Sequence, residues 1–313
     1  MSSEAEGRFH MVDVSSITYG PRRATLLTDD GVRIEAVYEP CTASVTETSG
    51  AATAVVVAHG FTGSVDRPAV RRASRVLAER AAVVTFSFRG HGRSGGRSTV
   101  GDREVLDLSA AVRWARALGH TRVVTVGFSM GGSVVLRHAA LERKEEEGAP
   151  GEGVPTATSG AGGPGDTSAA GGSKAGEQSG SARKRAGAYT DAVAAVSAPA
   201  RWYYRGTPSM RRVHWVITRR AGRLVGRYGL GTRIHHQDWD PVPLSPVEAV
   251  PMIAPTPLLI VHGDRDPYFP VDHPRSLAAA GPCELWLERG MGHAENAADD
   301  RLLRRLGDWL TRA

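Results

Sequence analysis

The sequence is short of cysteine and of long apolar stretches. Its 313 residues include only two cysteines, Cys41 and Cys283, and no CxxC pair. This argues against a disulfide scaffold and a structural zinc site, and it fits a reducing compartment. No apolar run approaches the ~20 residues that a membrane span needs. The start, MSSEAEGRFH, lacks the apolar core of a signal peptide. These absences predict a soluble, cytoplasmic protein.

Acidic residues are scarce relative to basic ones. Lys and Arg number 39 against 33 Asp and Glu, so the net charge is +6 at pH 7. A basic balance can indicate a nucleic-acid partner, but the arginines are mostly scattered and no zinc-finger spacing or aromatic RNA-binding motif is present. We interpret them as surface cations and expect no nucleic-acid partner. The alternative is binding of nucleic acid or a membrane surface through an Arg-rich insertion, which a steep salt dependence would support.

Short apolar runs alternate with helical patterns along most of the chain. A DDG turn at 29–31 separates two β-rich runs and predicts a hairpin. Continuous apolar runs of the kind that form strands buried on both faces follow at 54–60, 82–88 and 122–128. Further strand patterns lie at 192–198, 257–263 and 284–288. Helical patterns separate several of them, including 104–118, and another closes the chain. The alternation predicts an α/β fold with a mostly parallel central sheet and helices on both faces.

Two insertions interrupt the alternation within what we interpret as one domain, residues 21–313. Residues 144–187 open with KEEE and continue as Gly, Ser, Ala, Thr and Pro, a composition that predicts a disordered loop. Residues 199–250 contain several Trp and Tyr residues, too many large aromatics for a plain connector. This second insertion is therefore predicted to fold, as a helical cap.

The pattern Gly-x-Ser-x-Gly occurs at two places, centred on Ser94 and on Ser129. Ser129 directly follows a buried strand and precedes the helix-forming run SVVLRHAAL. A serine at such a junction sits in a tight turn that exposes its hydroxyl, and the flanking glycines allow the close packing. Ser94 is followed by GGRSTVGD, which cannot continue as a helix. Ser129 is therefore the candidate nucleophile, and Ser94 belongs to a glycine loop.

A serine hydroxyl needs a base and a group that orients the base. In this type of fold the partners follow in the order Ser, Asp or Glu, His, each past the end of a strand. Asp264 and Asp266 follow the strand at 257–263, and His293 follows the strand at 284–288. An oxyanion hole also needs two backbone N–H groups. Met130, directly after the nucleophile, and Phe61, in the loop after the first buried strand, are the candidates.

With these motifs the chain resembles the α/β-hydrolase superfamily, and within it the serine-esterase and lipase-like branch. The resemblance rests on HGFTG (59–63), FRGHGRSGG (88–96), GFSMGG (127–132), HGDRDP (262–267) and GHAE, which contains His293. The first motif is also similar to that of bacterial cinnamoyl and feruloyl esterases. The resemblance implies ester hydrolysis by Ser129, His293 and Asp266, the aspartate at the family's His-Gly-x-x-Asp spacing. The chain differs from the family at Ser87, where an Asp is frequent; that difference concerns loop packing.

The resemblance also limits the chemistry. Haloalkane dehalogenases of this fold carry Asp at the nucleophile position, which is Ser129 here. No GxGxxG lies between a strand and a helix, so neither a nicotinamide cofactor nor a metal is expected. A thioester, an amide or peptide bond, or acyl transfer remain alternatives for the same triad, because substrate choice lies in the cap and acyl pocket. The alternative of another class is a non-catalytic binding module, whose usual sign, a broken triad, is absent.

The cap contains an apolar pattern from Met210 to Tyr228. Its apolar positions recur at helical spacing and predict one helix with a continuous stripe facing a small-molecule ester or acyl substrate. The candidate substrate contacts on it are Val216, Ile217, Leu224 and Tyr228. Four arginines cluster along one side of the stripe, namely Arg212, Arg219, Arg223 and Arg227. We interpret them as solvated; an alternative is that some of them attract an anionic substrate or an acidic lipid surface.

Overall fold

The computed structural model describes residues 20–42, 52–142 and 187–313. The insertion at 144–187, except Gly187, lies outside the described residues. Within the described residues, no helix combines the length and the apolar character that crossing a membrane requires. Cys41 and Cys283 are both free thiols.

One sheet of eight strands organises the described part of the chain, in the order β1-β2-β4-β3-β5-β6-β7-β8. The strands are β1 (Arg22–Leu27), β2 (Arg33–Glu39), β3 (Thr53–Ala58), β4 (Ala82–Phe86), β5 (Arg122–Phe128), β6 (Val193–Val196), β7 (Leu258–Gly263) and β8 (Glu284–Glu288). The hairpin β1–β2 and the pair β2–β4 are antiparallel, and all other pairs are parallel. In register, Val57 of β3 lies between Thr85 of β4 and Val126 of β5. The predicted mostly parallel sheet is confirmed.

Helices cover both faces of this sheet. They are α1 (Pro68–Leu77), α2 (Glu104–Ala117), α3 (Met130–Leu141), α4 (Pro208–Thr218), α5 (Arg220–Gly229), α6 (Pro246–Ala249), α7 (Asp272–Ala280), α8 (Ala294–Ala297) and α9 (Asp300–Arg312). Leu108 of α2 and Leu136 of α3 are buried on one face, and Leu77 of α1 and Leu303 of α9 are buried on the other. Because both faces are covered, the central strands β3 to β7 are buried at every residue except Arg122 at the start of β5, which explains their mainly apolar sequences.

The prediction of one long cap helix is wrong. The apolar pattern from Met210 to Tyr228 is divided between α4 and α5, and Arg219 between them has an extended backbone (φ −92°, ψ 141°). The reason is close packing of the two helices. A Cβ added to Gly222 would overlap the carbonyl oxygen of Trp215 in α4, and one added to Gly226 would lie 3.0 Å from Ile234 Cδ1. These glycines, four residues apart, allow α5 to fold back against α4, which breaks the continuous stripe.

Candidate active site

Ser129 lies in the sharp turn between β5 and α3. Its backbone has φ 52° and ψ −113°, a conformation that is sterically unfavourable for a residue with a side chain. The Ser129 N–H donates to the Val196 carbonyl oxygen at 2.8 Å, which anchors the turn to β6. The flanking glycines are required by space: a Cβ on Gly127 would overlap the Gly131 carbonyl, and one on Gly131 would overlap the Ala58 carbonyl. The local sequence therefore holds a strained serine at the edge of the sheet.

Two further side chains reach this serine from neighbouring loops. Ser129 Oγ lies 2.9 Å from His293 Nε2, and His293 Nδ1 lies 2.7 Å from Asp266 Oδ2. Asp266 follows β7 and His293 follows β8, so the parallel strands bring both loops to the edge where β5 ends. The structure thus brings together the serine, histidine and aspartate that the sequence indicated.

Asp266 is held as a carboxylate. Its Oδ1 accepts hydrogen bonds from the backbone N–H groups of Tyr268 (2.8 Å) and Phe269 (3.1 Å). Burial by itself raises the pKa of Asp266, but the hydrogen bond and charge of His293, together with those two N–H groups, outweigh it. The pKa of Asp266 therefore lies below its usual value. This carboxylate can orient His293 and stabilise a positive charge on its ring.

The competing candidates, Asp264 and Ser94, have other partners. Asp264 is exposed and accepts a hydrogen bond from Gly290 N–H at 2.6 Å. Ser94 is fully buried; its hydroxyl donates to the Ser87 carbonyl oxygen at 2.6 Å and accepts from Glu35 N–H at 3.0 Å. The structure places neither of them against His293.

Ser87, at which the chain differs from the family it resembles, has its own hydrogen-bond partners. Ser87 Oγ donates to Glu35 Oε1 at 2.8 Å and accepts from Val65 N–H at 3.0 Å. Glu35 Oε1 also accepts from Arg93 N–H at 2.9 Å. The Glu35 carboxylate of β2 therefore connects the loop of Val65 with the loop of Arg93, and Ser87 takes part in this connection at the position where an aspartate is frequent.

The HGFTG loop lies directly beside the nucleophile. A Cβ added to Gly60 would lie 3.4 Å from Ser129 Cβ and 3.3 Å from both carboxylate oxygens of Glu295, so the backbone of the loop lies close to both residues. The His59 Nδ1–H donates to the Gly60 carbonyl at 2.7 Å, and its Nε2 accepts from Phe88 N–H at 3.0 Å. Burial lowers the pKa of His59 to about 3, so the ring stays neutral and keeps this pair of bonds. Phe61, next in the loop, and Met130 both line the cavity in front of Ser129.

Two side chains at the site were missed by sequence reasoning. Glu295 is 6% exposed, lines the cavity and accepts from Gly60 N–H at 3.2 Å. Burial raises its pKa, although its hydrogen bonds with Gly60 and its own backbone act in the opposite direction. The ring of Tyr268 lies 4.3 Å from that of His293, centroid to centroid, at an interplanar angle of 34°. The sequence signal that could have indicated them is position: Glu295 lies two residues after His293, and Tyr268 lies two residues after Asp266.

A cavity of about 920 Å³ opens in front of Ser129, between the sheet edge and the cap. Val216 and Ile217 of α4 line it, as the apolar pattern predicted. Leu224 and Tyr228 of α5 are not among its lining residues and are 57% and 76% exposed. Their prediction as substrate contacts is wrong, because the break at Arg219 turns the α5 part of the stripe away from the cavity.

An aromatic cluster forms another wall of the cavity. The ring of Trp239 lies 5.1 Å from that of Trp202 and 5.5 Å from that of Tyr203, and all three line the cavity. The indole N–H groups are satisfied within the protein: Trp202 Nε1 donates to the Pro243 carbonyl at 2.9 Å and Trp239 Nε1 to the Thr99 carbonyl at 2.6 Å. The cluster therefore presents a fixed, mainly apolar surface.

Solved structures of esterases share this fold. An esterase of Pyrococcus furiosus, Pf2001, is 20% identical, with a TM-score of 0.61 over 99% of this chain and 98% of that one. The esterase domain of a Rhodothermus marinus protein is 20% identical, with a TM-score of 0.55 over 93% and 98%. Est1E of Butyrivibrio proteoclasticus, solved with ferulic acid, is 18% identical, with a TM-score of 0.51 over 92% and 96%.

Comparison of sequences identifies the family of the chain. No curated protein matches this chain. A family model described as the alpha/beta hydrolase family matches residues 55–305, which include the serine turn, the HGFTG loop and the loops of Asp266 and His293. The chain belongs to the α/β-hydrolase family.

Proposed function

We propose that this protein is a serine hydrolase that cleaves carboxylic esters through an acyl-enzyme intermediate. The observation that carries the proposal is the continuous hydrogen-bonded line from Ser129 Oγ to His293 (2.9 Å) and from His293 to Asp266 (2.7 Å). Nucleophile, base and orienting acid are within hydrogen-bond reach in the order that acyl transfer requires.

The geometry supports the following mechanism. His293 Nε2 takes the hydroxyl proton as Ser129 Oγ attacks the ester carbonyl, and the charge on the imidazolium is balanced by Asp266. The tetrahedral oxyanion is stabilised by the backbone N–H groups of Phe61 and Met130 and by the N-terminus of α3. His293 then gives the proton to the departing alcohol, which leaves the acyl group on Ser129. A water molecule, activated by His293, releases the acid by the same steps in reverse order.

The cavity favours an acyl or alcohol group of moderate size. Its volume, about 920 Å³, lies at the upper end of the range for small-molecule sites. Aliphatic residues of α4, Val216 and Ile217, and the aromatic cluster of Trp202, Tyr203 and Trp239 give it apolar walls. Three of the similar structures, from Pyrococcus furiosus, Rhodothermus marinus and Butyrivibrio proteoclasticus, are esterases, which favours an ester over a thioester or an amide. A cytoplasmic location is part of the same proposal and rests on the sequence.

A panel of matched substrates tests the bond type. We expect p-nitrophenyl esters with aliphatic and aromatic acyl groups to be hydrolysed with a burst of p-nitrophenol equal to the enzyme concentration. The corresponding p-nitroanilides and thioesters, with identical acyl groups, serve as comparisons. Faster turnover of thioester or anilide than of ester at equal acyl group would contradict the proposed bond type. Absence of turnover with every substrate would favour a binding module.

A further inference from the structure

A second, smaller pocket lies next to the catalytic cavity, and arginines form most of its walls. Its volume is about 240 Å³. Five of its seven lining residues are arginines, the other two are apolar, and none is acidic: Arg97, Arg220, Arg223, Leu224, Arg227, Arg233 and Ile234. We refer to it as the arginine pocket. Such a concentration of one charge in a concave site is unusual on a surface where charges of both signs are available.

The arginines of this pocket lack acidic partners within the described part of the chain. No ion pair with Asp or Glu joins any of the five there. Elsewhere arginines do pair with carboxylates, as Arg72 does with Asp300 at 3.0 Å and Arg304 with Glu79 at 2.9 Å. The positive charge of the arginine pocket is thus not balanced by the neighbouring described side chains, which leaves it available to an anion.

Two of the five guanidinium groups are held in place by other contacts. Arg223 Nη1 donates to the carbonyl oxygens of Ile217 (3.2 Å) and Thr218 (2.9 Å), at the end of α4. Arg233 Nη2 donates to the Ser94 carbonyl, while its buried Nε has no partner among the described residues. Because these side chains are already ordered, they lose less conformational entropy when an anion binds.

The arginine pocket joins the cap to the main domain. Arg220, Arg223 and Arg227 come from α5, whereas Arg97 lies in the loop that follows β4. That loop is bound to the segment carrying Arg233: Ser98 N–H donates to the Arg233 carbonyl at 2.7 Å, and Arg233 N–H donates to the Gly90 carbonyl at 2.8 Å. An anion between Arg97 and the α5 arginines would bridge the two parts of the protein.

We propose that the arginine pocket is a binding site for a phosphoryl group, distinct from the catalytic serine. A phosphate group carries one negative charge as a diester and close to two as a monoester, and its acceptor oxygens point in several directions, which match several guanidinium forks better than a single carboxylate does. The group comes either from a soluble phosphate compound or from the headgroup of a lipid. Leu224, Val225 and Tyr228, exposed on the same helix, would contact the acyl region in the second case.

Binding there is coupled to the catalytic cavity by shared walls. Arg223 and Ile234 line both the arginine pocket and the cavity in front of Ser129. An anion bound to Arg223 neutralises positive charge in the wall that faces the substrate. We therefore expect bound phosphate to change KM for neutral esters by about twofold or more, with little effect on kcat.

The test compares two double variants that lose the same charge. Arg220→Gln with Arg227→Gln alters the arginine pocket without touching the catalytic cavity. Arg75→Gln with Arg301→Gln, at exposed positions of α1 and α9, is the matched control. Binding of inorganic phosphate and of glycerol 3-phosphate is measured by calorimetry at constant ionic strength, with chloride as the balancing anion. Binding to vesicles of phosphatidylglycerol and of phosphatidylcholine is measured by sedimentation.

The proposal expects phosphate or phosphatidylglycerol to bind the wild type and the control variant, with affinity at least tenfold weaker for the pocket variant. Binding of the soluble phosphates identifies a soluble ligand, and binding of phosphatidylglycerol vesicles alone identifies a lipid headgroup. Equal weakening in both double variants would reduce the effect to net charge and overturn the proposal. Failure of both kinds of ligand to bind the wild type would also overturn it. Thermal unfolding shows that each variant is folded, and binding is measured without turnover, so failure here is distinct from failure of the proposed catalysis.

Discussion

Replacing Asp266 by Asn tests how the acid of the site works. Oδ1 of this residue accepts two backbone N–H groups, from Tyr268 and Phe269, so an asparagine must keep its oxygen there. Its NH₂ group then takes the place of Oδ2, 2.7 Å from His293 Nδ1. Nδ1 must become the acceptor, and the ring proton moves to Nε2. In that tautomer Nε2 cannot take the proton of Ser129.

The magnitude follows from the loss of the base. We expect Asp266→Asn to lower kcat by about 10⁴-fold, as loss of the correct tautomer does in other triads, which corresponds to about 5 kcal/mol of transition-state stabilisation. Asp264→Asn is the matched control. Its carboxylate is exposed and contacts only Gly290 N–H among described groups, so we expect a change of less than about tenfold.

The assay is steady-state hydrolysis of p-nitrophenyl butyrate, with thermal unfolding of each variant measured in parallel. A large loss of kcat in a variant that still unfolds cooperatively, above the assay temperature, assigns the effect to chemistry. The reasoning would be refuted by the reverse ranking of the two variants, or by an Asp266→Asn protein that retains more than about a tenth of wild-type kcat.

Three further predictions follow from packing and charge. Gly131→Ala places a Cβ against the Ala58 carbonyl. We therefore expect the free energy of unfolding to fall by about 3 kcal/mol and the Tm to fall by roughly 6–12 °C. An unchanged Tm would contradict this. Val216→Ser should raise KM for long acyl chains while Leu224→Ser leaves it unchanged, since only Val216 lines the cavity; equal effects on KM would refute the distinction. Because the pKa of Asp266 is lowered in the folded state, its carboxylate stabilises the fold above the usual carboxyl pKa. That contribution is lost as pH falls through the lowered pKa, so the Tm difference between wild type and Asp266→Asn should narrow in acid.

The sheet and the positions around Ser129 were predictable because their signals are local. A strand buried on both faces requires a continuous apolar run, as in Val55–Val57, and a serine between such a run and a helix can occupy only a turn. The loops of Asp266 and His293 meet that turn because parallel strands end at one edge. These features therefore follow from sequence order alone.

The features that the sequence did not predict depend on contacts between segments that are distant in the chain. The break at Arg219 results from packing of Gly222 and Gly226 against α4 and its surroundings, and helical periodicity carries no information about it. The arginine pocket combines Arg97 with residues more than a hundred positions later, so scattered arginines in the sequence become a cluster in space. Glu295 was missed because its importance comes from its burial and its contact with Gly60, and the sequence does not show which glutamates are buried.

Labelling by a serine-directed fluorophosphonate tests the central assignment most directly. Among the residues that the structure describes, Ser129 is the serine that lies against His293, at 2.9 Å, whereas Ser94, in the other Gly-x-Ser-x-Gly match, is buried and hydrogen-bonded to Ser87. Peptide mass spectrometry of the wild type should find one adduct, on Ser129. The Ser129→Ala protein should take up no label and lose about 10⁴-fold or more in kcat, while Ser94→Ala should still be labelled on Ser129. Labelling that persists in Ser129→Ala, or an adduct on Ser94, would contradict the account.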